Sequence, residues 1–240
     1  MKALISYYFL DYIKSYRYVP PLTIYLVALF LNYTYKPNPV LSSTAVTALY
    51  LFLLMVWFTL SFFHTEDPTQ QHLTILHAKS KVKMFLSKYM TMFLCVIVLS
   101  VFSVAYPVVF GMFGADISIL KLIIGVLNHF FLGVLSVSMA ALFTREIIKN
   151  PGTGWLGVSF VLLVSIASTG LRHALPNFLQ WTVWVLPPVP HLMSLMEGSN
   201  VASIFPAIGF VYLWLGGYSA VLILLYFWLQ NRGFWRFYDG

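Results

Sequence analysis

The sequence predicts an all-α membrane protein, one transmembrane domain over residues 1–240 built from six membrane-spanning helices. Six segments are almost purely apolar, at 19–35, 44–63, 89–113, 121–143, 154–171 and 203–229. Each is near the ~20 residues that a helix needs to cross ~30 Å of hydrocarbon. Such spans read as helices because backbone polar groups in lipid must be satisfied within the segment or within a closed barrel. The basic residues supply the second observation. Lys2, Lys14, Arg17, Lys79, Lys81, Lys83, Lys88, Arg145, Lys149, Arg232 and Arg236 fall on one side of the predicted spans, and only Lys36, Lys121 and Arg172 on the other. By the positive-inside rule, both termini and the loop between spans two and three are cytoplasmic.

Composition agrees with one membrane domain. Hydrophobic residues make up 60% and charged residues 9%, which leaves no room for a separate soluble domain, and no linker or internal repeat stands out. The net charge of +7 is accounted for by topology, so no nucleic-acid partner is implied. The single cysteine, Cys95, excludes an intrachain disulfide and reads as an inert buried thiol. The first residues carry interspersed Lys, Asp and Arg and do not form a cleavable signal.

Residues 1–18 read as an entry helix lying in the cytoplasmic interface. Leu4, Ile5, Tyr8, Phe9, Tyr12, Ile13 and Tyr16 recur at helical spacing, with Lys2, Ser6, Asp11, Lys14, Ser15 and Arg17 on the remaining surface. Pro20 and Pro21 are expected to break that helix and turn the chain into the first span. The alternative is a simple extension of the first span.

The loop 64–88 is the one sizeable cytoplasmic segment. Asp67 suits a cap, Pro68 the first helical position, and 69–77 a short helix with Leu73 and Leu76 on one side. Glu66 and Asp67 stand at its positive end, and Lys79, Lys81 and Lys83 beyond its negative end, as the macrodipole favours. Two readings follow: a docking knob for a cytoplasmic partner, or a solvated hairpin whose lysines only enforce topology.

The spans carry no Asp, Glu, Arg or Lys at depth, which disfavours an ion-coupled transport mechanism. His129 is the ionisable side chain well inside a span, either a polar contact for a substrate or a neutral imidazole bonded to a neighbouring helix. His72 and His77 are five apart and do not share a helix face as a metal pair would. No HExxH or GxSxG motif appears, which makes an intramembrane enzyme the weaker alternative, and no GxxxxGK[ST] phosphate loop appears, so the chain is expected not to hydrolyse ATP itself and to carry no metal or cofactor of its own. In the fifth span Gly154, Gly157, Val161, Ser165 and Ser168 form a stripe of mainly small residues with Thr169 beside it, suited to close helix packing or to lining a path.

The order of elements resembles the permease subunits of type-two ABC transporters. The residues that carry the likeness are Glu66, then Leu73-Thr74-Ile75-Leu76-His77-Ala78-Lys79-Ser80-Lys81 and Leu86-Ser87-Lys88-Tyr89. In that family an acidic residue opens a coupling helix, a Ser with a basic neighbour follows, and a Lys begins the third span. The usual Gly-Thr within the coupling helix and the Pro before the Ser are missing here. The stretch Leu175 to His191, with Pro187, Pro188 and Pro190, is similar to the family's outer segment between spans five and six, where two short helices re-enter the membrane; here that segment covers 172–202.

The resemblance implies a half-transporter in a bacterial cytoplasmic membrane. A second permease chain, identical or different, would pair with this one, and a cytoplasmic ABC ATPase would bind ATP and Mg and dock on the coupling helix. The docking residues would be Glu66, Asp67, Gln70, Gln71, Leu73, Leu76 and Lys79. The path between the paired chains would be lined by Thr23, Asn32, Ser165, Ser168 and Thr169. An exporter of an amphipathic or hydrophobic cargo follows, with a peptide or peptide antibiotic as first choice and a lipid-linked glycan or drug as the alternative. A non-transporting scaffold or intramembrane enzyme is the reading from a different class.

Overall fold

The computed structural model describes residues 1–115, 117–168, 170, 174–196 and 201–235, with side chains at all of these except 68, 181, 183–185, 201–205 and 232–235. The elements in chain order are α1 (Lys2–Lys14), α2 (Val19–Asn32), α3 (Val40–Phe63), α4 (Pro68–Ala78), α5 (Lys81–Val109), α6 (Ile119–Ala141) and α7 (Pro151–Ile166). A 3-10 helix (Asn177–Val185), α8 (Val189–Met196) and α9 (Val201–Trp235) complete the order. Among the described residues there is no strand; an isolated bridge joins Asn38 to Phe113.

Four helices are long and apolar enough to cross a membrane: Val40–Phe63, Lys81–Val109, Ile119–Ala141 and Pro206–Asn231. The described helices α2 and α7, in the expected first and fifth spans, are shorter. α2 has 14 residues and α7 has 16, so at 1.5 Å per residue they reach about 21 and 24 Å, short of the ~30 Å hydrocarbon thickness.

α3 and α6 form the interior pair, with α5 and α9 packed against them. α3 can be buried on nearly all sides because its hydroxyls are satisfied within the helix. Thr44 donates to Val40 O at 2.7 Å and Thr59 to Met55 O at 2.7 Å, which removes the cost of burying them unpaired. Close approach to α6 is set by Gly125, where a Cβ would sit 3.2 Å from Thr44. Between the two helices His129 Nδ1 lies 2.7 Å from Gly125 O and Nε2 lies 3.1 Å from Thr47 Oγ1. The imidazole is thus fully occupied by helix packing, and of the two readings of His129 the interhelical bond is the one observed.

The entry helix differs from its expected form in two ways. The break falls at Tyr16, whose φ of 53° is left-handed, while Pro20 and Pro21 occupy the first turn of α2, where a missing N–H costs no helical bond. Of the seven apolar residues assigned to one face, only Tyr8 and Tyr12 are buried; Phe9, Ile13 and Tyr16 are exposed. Tyr12 packs edge-on against Phe58 and Phe62 and its hydroxyl lies 2.6 Å from Ser61 Oγ. α1 is therefore held to α3 by two tyrosines and keeps an apolar outer side.

At one end of the bundle the segment after α2 is clamped to the segment after α5. Asn38 N–H donates to Met112 O at 3.1 Å, Gly114 N–H to Asn38 O at 3.1 Å, and Lys36 Nζ to Phe110 O at 2.9 Å. The α3–α5 connection and the end of α6 lie at the opposite end, where Arg17, Lys88 and Arg145 also meet. The separation of Lys36 from those basic residues agrees with the expected charge asymmetry; Arg172 and Arg236, and the acidic Asp116 and Glu197, lie outside the described residues.

Candidate functional site

The site is built on α4. Asp67 caps it as expected, its Oδ1 accepting from Thr69 N–H at 3.1 Å, and Pro68 begins the helix. Lys79 ends it with a left-handed φ of 53°, and Ser80 then caps α5, accepting from Lys83 N–H at 3.4 Å. One side of α4 projects two apolar side chains outward, Leu73 at 55% and Leu76 at 71% exposure. Both leucines are carried on an 11-residue helix bracketed by polar caps. Asp67, Gln70 and Lys79 are exposed beside it, and Gln70 Nε2 donates to Tyr7 OH of α1 at 2.5 Å.

Glu66 stands apart from the other docking residues. It is buried, 3% exposed, and faces inward. Its Oε1 accepts from Thr74 Oγ1 at 2.5 Å and its Oε2 lies 3.2 Å from Lys88 Nζ. It anchors α4 to the bundle and presents no surface to a partner. Lys88, 1% exposed, also lies 3.7 Å from Glu146 Oε1, and its ammonium stands 5.5–5.6 Å from the rings of Tyr8, Phe63 and Phe85, a cation–π cage. Gln71 Nε2, from α4, donates to the same Glu146 oxygen at 3.4 Å.

Two arginines close the end of α3. Arg17 Nη1 donates to His64 O at 2.7 Å, and Arg145 Nη2 donates to His64 O at 3.0 Å and Glu66 O at 2.6 Å. Cations at the carbonyl end of a helix answer its macrodipole. His64 itself accepts the Arg145 peptide N–H on Nε2 at 3.1 Å, so the ring is neutral with its proton on Nδ1. Burial pushes its pKa below the ordinary 6.5, against a smaller opposing pull from Glu146. The unfolded chain then binds the proton more readily, so this contribution to stability is fully present above the unfolded value and is lost as pH falls from there through the folded one. Melting of the purified protein is expected to occur at lower temperature near pH 5 than near pH 7.5. His64→Gln, which keeps an acceptor but cannot titrate, should shrink that difference; an unchanged difference would locate the sensitivity elsewhere.

The expected pathway residues are not brought together. Ser165 and Ser168 are buried inside the chain, and Ser165 Oγ donates to Val161 O. Gly154 and Gly157 of the same stripe pack on Phe143. The stripe therefore faces the chain's own interior, its glycines letting α7 approach the turn after α6 closely. Thr23 is exposed on α2 with its hydroxyl bonded to Val19 O at 2.8 Å, Asn32 is half-buried, and Thr169 lies outside the described residues.

The sequence places Lys88 among the basic residues of the cytoplasmic side and at the start of the third span, but its enclosure and the part taken by Glu146 were missed. A signal was present: Met84, Phe85, Lys88 and Met92 share one helical face, and an isolated Lys within an apolar stripe points inward. Among the described residues no group of three or more His, Cys, Asp or Glu side chains is placed to hold a metal ion. No family model, curated protein or solved structure matches this chain.

Proposed function

We propose that the chain is the membrane-spanning subunit of an ATP-driven exporter, with α4 as the element that receives movement from a cytoplasmic ATPase. The observation that carries this reading is the construction of α4: a capped helix outside the long apolar helices, with Leu73 and Leu76 exposed on one side and Glu66 anchored in the bundle behind it. An exposed apolar pair on a short polar helix is the kind of surface that a partner covers. The helix therefore offers both a contact and an attachment to the bundle.

In this reading α2 and α7 complete six crossings together with the four long helices, and α8 with the preceding 3-10 helix forms the outer re-entrant segment. Both termini face the cytoplasm of a bacterial cell, a second permease chain completes the transporter, and the cargo is an amphipathic peptide or another hydrophobic molecule. Ser165 and Ser168 act in packing, which leaves the exposed side of α2 around Thr23 to face the partner chain and the cargo.

Replacing Leu73 and Leu76 together by Asp tests the docking role. Each Asp would place a charge in an apolar contact, at a cost of several kcal/mol as an order of magnitude. Co-purification of an ATPase encoded beside this chain should be lost, while membrane insertion and thermal stability stay close to those of the parent because both side chains are already exposed. An equal ATPase yield from the double variant would reject α4 as the docking element.

A further inference from the structure

We propose that Lys88 is a two-position lock: its ammonium holds Glu66, and through it α4, against the bundle, and passes to Glu146 when α4 swings away. The starting geometry favours Glu66, at 3.2 Å from Nζ against 3.7 Å for Glu146. The lysine thus serves two carboxylates, and neither partnership is complete. Lys88 Nζ and Oε2 of Glu66 form an ion pair without hydrogen-bond alignment, and Oε2 of Glu146 is buried without a hydrogen-bond partner.

The two carboxylates belong to different moving parts. The Glu66 main chain is pinned to the bundle by Arg145 at 2.6 Å, whereas its carboxylate is tied to Thr74 of α4 at 2.5 Å. A swing of α4 about residue 66 therefore withdraws the carboxylate and leaves the main chain in place. The same swing withdraws Gln71 from Glu146 Oε1. An ammonium and a carboxylate are orphaned together, already 3.7 Å apart. Their pairing spares the bundle an uncompensated buried charge, which would otherwise oppose the motion. The rings of Tyr8, Phe63 and Phe85 surround the ammonium independently of either carboxylate, so the cation keeps part of its environment in both positions.

The inference rests on α4 being the part that moves, and its test uses the purified chain alone, so that a missing ATPase partner does not affect the result. Hydrogen exchange along α4 and the thermal midpoint are measured for Glu66→Gln, Glu146→Gln, the double variant, and the double variant with Lys88→Met added. Glu66→Gln should speed α4 exchange by about tenfold with little change in the midpoint, because Glu146 takes over the lysine. Glu146→Gln should leave both readouts near those of the parent. The double variant should lose far more stability than the two singles summed, and adding Lys88→Met should restore most of it by removing the stranded charge. Additive losses, a midpoint drop in Glu66→Gln equal to that of the double variant, or no rescue by Lys88→Met would each overturn the lock. Failure of this pattern with ATPase association intact would leave the docking role of α4 standing.

Discussion

Lys88→Ala is expected to lower the stability of the protein by about 3–5 kcal/mol, the usual consequence of breaking a buried pair by deleting one partner. The substitution leaves Glu66 and Glu146 enclosed, at side-chain exposures of 2% and 6%, without the ammonium between them. It also empties the space among Tyr8, Phe63 and Phe85. A lower thermal midpoint and a smaller monodisperse fraction in detergent would register the loss. Lys83→Ala, on the same helix but exposed, serves as the control and should stay within about 0.5 kcal/mol of the parent. A Lys88→Ala protein that melts with the parent would contradict the enclosed pairing.

Gly154→Ala should be the other severe single change, although it adds one methyl group. A Cβ there would lie 2.4 Å from the carbonyl oxygen of Phe143. The obstacle is backbone, so relief requires α7 to move away from the turn after α6, at about 1–3 kcal/mol for overpacking of this kind. Gly217→Ala, in α9 with no atom within 4 Å of the added carbon, should instead gain roughly 0.5–1 kcal/mol from the better helix propensity of alanine. Opposite shifts in melting temperature from the same chemical change would confirm that the small-residue stripe of α7 is a packing face. Equal shifts would argue against it.

The parts of the fold that were legible in the sequence are those fixed by local chemistry. Hydropathy located α3 and α6 to within a few residues, because a long apolar run has few alternatives to a helix in lipid. The Asp67-Pro68 pair marked the start of α4, since cap and first-turn preferences act over neighbouring residues. Less was legible where the outcome depends on what lies opposite. Apolar flanks extended the expected first span beyond α2, and the end signal at Tyr33 is weak, not being Gly. The pairing of Glu66 and Lys88 with Glu146 was not legible because Glu146 lies far along the chain from both, beyond the end of α6, and only the apolar face around Lys88 hints that its side chain turns inward. The stripe at Gly154, Gly157, Ser165 and Ser168 reads as small from the sequence, but Phe143, which faces its two glycines, belongs to a turn that periodicity does not orient.

The clamp joining Asn38 to Met112 and Gly114, with Lys36 on Phe110, has a mechanical meaning. It fastens α5 to the α2–α3 corner at the far end from α4. A helix fixed at one end converts a push at the other into rotation. With 29 residues at 1.5 Å each, α5 is about 44 Å long, so a displacement of about 3 Å at its end beside α4 would amount to a tilt of about 4° and almost no travel at the clamp. Loosening that clamp, by contrast, would let the same push dissipate as sliding.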